Sequence, residues 1–200
     1  MAKLYFKFGA MSSSKTANAL MTKFNYEEKD NRVWLIKPDL DSRDDYVNEE
    51  GRRITVVKSR VGLMAEAEAV CQGENLRERY EDLCRTAPVD VIICDECQFL
   101  APHQVDELKY IAEFRDTPVL CFGLRADFQT RLFPGSQRLF EIADSISEIK
   151  SVCRCGKKAI VNARLNEQGQ VIVDGEQICI GGDDKYEAMC WGCWQEKIRK

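Results

Sequence analysis

The first alternating run of the chain, Lys3-Leu4-Tyr5-Phe6-Lys7-Phe8-Gly9, predicts a strand. Past a serine-rich turn, Ala17, Leu20, Met21 and Phe24 recur at helical spacing and predict a helix over 15–28. Val33–Lys37 reads as a second strand ended by Pro38, and the polar, charged segment 39–53 as a mobile loop. Residues 54–58 read as a strand, and 64–85 as a helical region interrupted near Gly73. Val89-Asp90-Val91-Ile92-Ile93-Cys94-Asp95-Glu96 is a nearly continuous apolar run that ends in two carboxylates, the pattern of a central parallel strand covered on both faces. Val105, Leu108, Ile111 and Phe114 then predict a helix, 118–123 a buried strand, 136–144 a helix and 146–152 a last strand. Strands alternating with helices predict an α/β fold with a mostly parallel sheet.

After residue 152 the pattern shifts to short β-type runs, many glycines and cysteine pairs at either end. The expected division is an α/β domain over 1–150 and a small β module over 151–200. The chain is 200 residues long with a net charge of −4. That is room for one full domain and an appendage, and a poor balance for gripping nucleic acid through charge alone. No stretch reaches the ~20 apolar residues of a membrane span, and the N-terminus enters a strand directly, unlike a signal peptide. The ten cysteines are therefore expected to be reduced, in a cytoplasmic protein.

Gly9-Ala10-Met11-Ser12-Ser13-Ser14-Lys15-Thr16 has the length and strand-to-helix placement of a Walker A loop. In such a loop backbone N–H groups and the helix N-terminus hold phosphate, the lysine neutralises charge and the hydroxyl binds magnesium. Ser14 stands where the motif has its second glycine; if that position needs positive φ, a strain of ~1–2 kcal/mol follows. A serine-rich helix cap is the plainer reading of the segment. Asp95 and Glu96 favour the nucleotide reading, because ligands collect at the C-terminal ends of parallel strands. Asp95 then suits magnesium, and Glu96 is a second carboxylate near the transferred phosphoryl group.

Cys153-Arg154-Cys155 and Cys190-Trp191-Gly192-Cys193 are two close thiolate pairs of the kind that hold a structural Zn²⁺. The first pair is one residue tighter than the usual spacing. A redox-active pair and unpaired core cysteines are the alternatives. Zinc would brace a module too small for much core, together with its loop 178–186. Cys97, between Glu96 and Gln98, is a candidate for an oxidation-sensitive thiol near the site.

Taken in order, YFKFGAMSSSKT (5–16), DECQF (95–99), GLRADFQTRLFPGSQ (123–137), CRCGKKA (153–159) and IGGDDKYEAMCWGC (180–193) resemble the thymidine kinase family of the cytosolic, zinc-containing type. The likeness spans essentially the whole chain, and it is the order and spacing of these motifs that are specific. It implies a P-loop α/β domain, a zinc-ribbon-like module with a lasso loop, and transfer of phosphoryl from ATP to the 5′-hydroxyl of thymidine. It assigns Gly9 through Thr16 and Asp95 to ATP and magnesium, with Thr16 and Asp95 as the magnesium ligands, and Glu96 as catalytic base. Met11, Phe99, Leu124, Phe128, Phe133 and Tyr186 match the nucleoside pocket, and Arg60 a sugar- or phosphate-side contact. Ile178, Cys179, Ile180 and Gly181 match the lasso backbone at the base edge, and Asn162 lies near the thymine methyl position. The resemblance further implies a homotetramer, dTTP as feedback inhibitor and weaker use of deoxyuridine. The chain runs seven residues beyond Cys193, as in bacterial members without the long tail of animal relatives. A P-loop ATPase whose zinc ribbon acts on nucleic acid is the rival function, and a nucleotide binder weakened by Ser14 a third.

Overall fold

A computed structural model describes residues 1–177 and 185–199. Its centre is an eight-stranded sheet of β1 (Leu4–Phe8), β2 (Val33–Pro38), β3 (Tyr46–Val47), β4 (Arg53–Lys58), β5 (Met64–Val70), β6 (Val91–Cys94), β7 (Val119–Gly123) and β8 (Ser145–Glu148). The order is β3-β4-β5-β2-β6-β7-β1-β8. From β5 to β8 every pairing is parallel; β3–β4 and β4–β5 are antiparallel. The parallel strands therefore deliver the loops after β1, β6 and β7 to one edge of the sheet.

The continuous apolar run of β6 is explained by its two covered faces. Ile92 and Cys94 pack into a cluster with Leu108 and Ile111 of α3 (Pro102–Phe114) and with Leu76 and Tyr80 of α2 (Leu76–Thr86). Val91 and Ile93 point the other way, into a cluster with Ala19 and Leu20 of α1 (Lys15–Glu27). Helix α4 (Pro134–Ile142) adds Leu139 to the first cluster.

The helical reading of 64–85 is half wrong. Residues 64–70, Met-Ala-Glu-Ala-Glu-Ala-Val, favour helix by composition, yet they form β5. Gly62, at φ 88°, turns the chain back from β4, and the strand pairs on both sides, with β4 and β2. Tertiary pairing outweighs a weak local preference there. The helix starts only at Leu76, where the side chain of Asn75 accepts the N–H of Glu78.

Segment 39–53 is also more structured than expected. It contains β3, and its Asp45 accepts hydrogen bonds from the buried Lys37 ammonium (3.1 Å) and from the Val56 N–H (3.1 Å). Near residue 150 the chain leaves the main sheet. β9 (Ser151–Val152) pairs with β10 (Lys158–Ala159), and β11 (Val161–Leu165) sits between β12 (Val171–Ile172) and β13 (Tyr186–Met189). Helix α5 (Trp191–Ile198) closes this part, whose buried residues include Val161, Ala163, Met189 and Trp194. No helix among the described residues is long and apolar enough to cross a membrane.

Candidate active site

The loop after β1 is held by close backbone packing at its entry. A Cβ on Gly9 would lie 2.4 Å from the Ile149 carbonyl oxygen and 2.4 Å from Ser13 Oγ, so only glycine fits. Ser12 (φ 59°) and Ser14 (φ 61°) both adopt left-handed backbone. Ser14 thus occupies the strained conformation for which the motif's glycine is suited. Replacing Ser14 with glycine is expected to raise unfolding free energy by about 0.5–1 kcal/mol, strain relief being partly offset by the freer unfolded chain. Urea titration measures this, and a destabilised variant would contradict the strain.

Lys15 is buried in this turn. Its Nζ donates to the Ala10 carbonyl (2.9 Å) and to Ser13 Oγ (3.5 Å). Burial pulls its pKa below the ordinary ammonium value, against the raising effect of Glu96 and Asp95. Beyond β6, Asp95 is 3% exposed, and its Oδ1 is buried with no hydrogen-bond partner among the described residues. Burial, then the charge of Glu96, pushes Asp95 up to about 7, against the hydroxyl of Thr16 and the charge of Lys15. A buried carboxylate oxygen without a donor, beside a threonine hydroxyl and a second carboxylate, is a donor set suited to a hard cation.

Glu96 lies in the left-handed region (φ 51°). It accepts from Arg43 Nη2 at 3.1 Å and from the Gln98 amide, while Arg43 Nε donates to Asp41 at 2.6 Å. Gln98, 1% exposed, also accepts the Leu124 N–H through Oε1 at 2.9 Å. The loop after β7 is thereby tied to the carboxylate loop. Gly123 makes that junction possible, since a Cβ there would lie 2.6 Å from both Cys97 Sγ and Gln98 Oε1.

These loops open into one cavity of about 260 Å³. Ser12 through Thr16, Asp95 and Glu96 line it, as do Met11, Phe99, Leu124, Phe128, Phe133, Tyr186 and Arg60. All of these sequence-chosen residues therefore share one space. Phe99 and Phe133 meet edge-on at 5.6 Å between ring centroids. Arg60 donates to Ser12 Oγ at 2.7 Å. Gly9 and Ala10 do not line this cavity; they lie behind it, beside a second, much smaller one. Ile178, Cys179, Ile180 and Gly181 lie outside the described residues.

Asn162 of β11 lines the same cavity, with both ends of its amide engaged. Its Oδ1 accepts the Met11 N–H (2.7 Å) and its Nδ2 donates to the Ala126 carbonyl (2.9 Å). Cys97 does not reach the cavity: it is fully buried behind it, and burial pushes its thiol well above the ordinary value. That environment opposes the expected oxidation sensitivity. Sequence reasoning missed Lys37, Asp41, Arg43, Gln98, Asp127 and Gln177 as cavity residues. Asp41 and Arg43, opposite charges on the polar segment 39–53, were the available signal.

The four cysteines converge as the spacing predicts. The Sγ atoms of Cys153, Cys155, Cys190 and Cys193 all lie within 4.8 Å of one another, with Cys155 and Cys190 at 3.6 Å. Tetrahedral thiolates at ~2.3 Å from zinc would sit ~3.8 Å apart, so the cluster fits that ion.

A strand-to-helix loop of Walker A length, a carboxylate pair at the end of a nearby parallel strand and one cavity lined by both and by aromatic side chains fit a phosphotransferase of the P-loop α/β class. A family model for thymidine kinase matches residues 2–194. The chain is 37% identical over 199 residues to the thymidine kinase of Yersinia pestis, covering 100% of this chain and 97% of that one. It is 38% identical over 200 residues to that of Enterobacteria phage T4 (100% and 99%) and 41% identical over 190 residues to that of Novosphingobium aromaticivorans (95% and 95%). The chain belongs to the thymidine kinase family. This membership favours the kinase reading over an ATPase acting on nucleic acid.

Proposed function

We propose that this chain phosphorylates the 5′-hydroxyl of thymidine with ATP, and deoxyuridine more weakly, giving the nucleoside monophosphate. The observation that carries the reading is a family match that runs from the first strand through the last cysteine pair.

In this reading the backbone of 9–16 and Lys15 hold the ATP phosphates, and Thr16 and Asp95 hold magnesium. The ion, when bound, supplies charge neutralisation between the phosphates. The unpartnered Asp95 oxygen supports the assignment. Met11, Phe99, Leu124, Phe128, Phe133 and Tyr186 enclose the nucleoside, with Arg60 on its phosphate side and the backbone of 178–181 at the base edge. Glu96 orients the 5′-hydroxyl in line with the γ-phosphate and takes its proton. In a loose transition state, positioning outweighs proton removal. We read 1–150 as the ATP-binding unit and 151–200 as the zinc-braced unit, with Cys153, Cys155, Cys190 and Cys193 as ligands. A homotetramer, inhibition by dTTP and a cytoplasmic setting complete the proposal.

An apolar wall separates thymine from uracil by one methyl, worth ~1–3 kcal/mol. The expected kcat/KM for deoxyuridine is therefore about 10–200-fold below that for thymidine, with no turnover of purine nucleosides. Assays of ADP formation across a nucleoside panel test this. A preference for deoxyguanosine would overturn it.

A further inference from the structure

Arg164, on β11, is a buried guanidinium with no carboxylate partner among the described residues. It is 8% exposed. Its Cζ lies 3.8 Å from the centroid of the Phe128 ring and 5.4 Å from that of Tyr186. Its Nε donates to the Tyr186 hydroxyl at 2.9 Å and its Nη1 to the Glu176 carbonyl at 3.1 Å. Its Nη2 is buried and has no hydrogen-bond partner among the described residues. Phe128 and Tyr186 line the cavity and Arg164 does not.

We propose that Arg164 is a positioning residue for the nucleoside half of the site, fixing the Phe128 and Tyr186 walls relative to each other and so setting thymidine affinity. The inference rests on the proposed function, which sets Phe128 and Tyr186 against the nucleoside. Phe128 is on the loop after β7 and Tyr186 on β13, directly opposite Arg164 in the small sheet. One side chain thus spans both parts of the molecule. A planar fork is needed: one face covers the Phe128 ring while the in-plane Nε reaches a phenol oxygen. Lysine offers neither the plane nor the fixed donor.

The cost of this arrangement argues against a packing role. A buried charge with an orphaned nitrogen is destabilising, and an apolar chain of similar length would fill the volume without that penalty. The half-exposed Tyr186 and exposed Glu176 could take water in its place. Position 164 therefore holds a group that gives up stability to fix two walls.

The test compares Arg164→Met, Arg164→Lys and, as a control on the pocket itself, Phe128→Ala. For Arg164→Met, thymidine KM is expected to rise about tenfold, with ATP KM changed less than about twofold and Tm equal to or above that of the parent. Arg164→Lys is expected to show the same rise in thymidine KM. Thymidine KM unchanged in Arg164→Met while Phe128→Ala raises it would overturn the inference and leave the pocket assignment standing. Phe128→Ala without effect would overturn the pocket assignment. A lowered Tm with ATP and thymidine KM rising together would make Arg164 structural and overturn the inference as well. Should Arg164→Met not fold, Arg164→Lys decides: thymidine KM raised alone supports positioning, and no change overturns it.

Discussion

Glu96→Gln is expected to lower kcat by about 10²–10⁴-fold while leaving thymidine KM within about threefold of the parent. The carboxylate is presented by an unusual local structure. Its residue sits at φ 51°, directly after the buried Asp95, and is held by Arg43 and Gln98. Both partners donate. An amide in its place turns one of two acceptor oxygens into an N–H₂ group facing a donor, so the side chain must rotate away from its present aim. It also loses the capacity to take a proton. Neither change touches the apolar lining, which is why binding and turnover separate. Steady-state kinetics with thymidine as varied substrate measure the split. Near-normal kcat would remove Glu96 from the chemistry, and a large rise in KM with kcat intact would make it a binding group instead.

Cys190→Ser is expected to reduce bound zinc to well below one ion per chain and to abolish most activity. The second part of the molecule has few buried side chains, and structural zinc sites contribute about 10–16 kcal/mol of apparent binding energy in small domains. Cys190 also caps α5, accepting the Cys193 N–H, so its replacement strikes the helix start as well as the metal. The consequence reaches the active site through β11, because Asn162 ties Met11 to Ala126. Metal analysis of purified protein, with Trp191 and Trp194 fluorescence as a local probe beside the cluster, checks the prediction. Full zinc content and full activity in Cys190→Ser would contradict it.

Much of this was legible in the chain because it rests on local pattern. The four-residue apolar core of β6 with carboxylates beyond it, the serine-rich loop between strand and helix and the two cysteine pairs each announce themselves over a few residues. What escaped depends on residues far apart. Arg43 meets Glu96 across 53 positions of sequence, from a polar segment without periodicity that reads as loop. Arg164 sits in Val-Asn-Ala-Arg-Leu, an ordinary strand by pattern, and its meaning comes from rings at 128 and 186. The Ala–Glu alternation of 64–70 misled because alanine and glutamate favour helix while the neighbouring strands require a sheet partner. Ser14 was legible as a departure from the motif, and its left-handed backbone gives that departure a physical form.

The measurement that bears most directly on the central claim is the rate of ADP release from ATP in the presence and absence of thymidine. Residues 12–16, Glu96 and the proposed nucleoside walls line one continuous cavity, so transfer needs both occupants. Rapid ADP release is expected with thymidine, matched by an equal amount of thymidine monophosphate, and very slow release without it. ADP release at the same rate whether or not thymidine is present would contradict it.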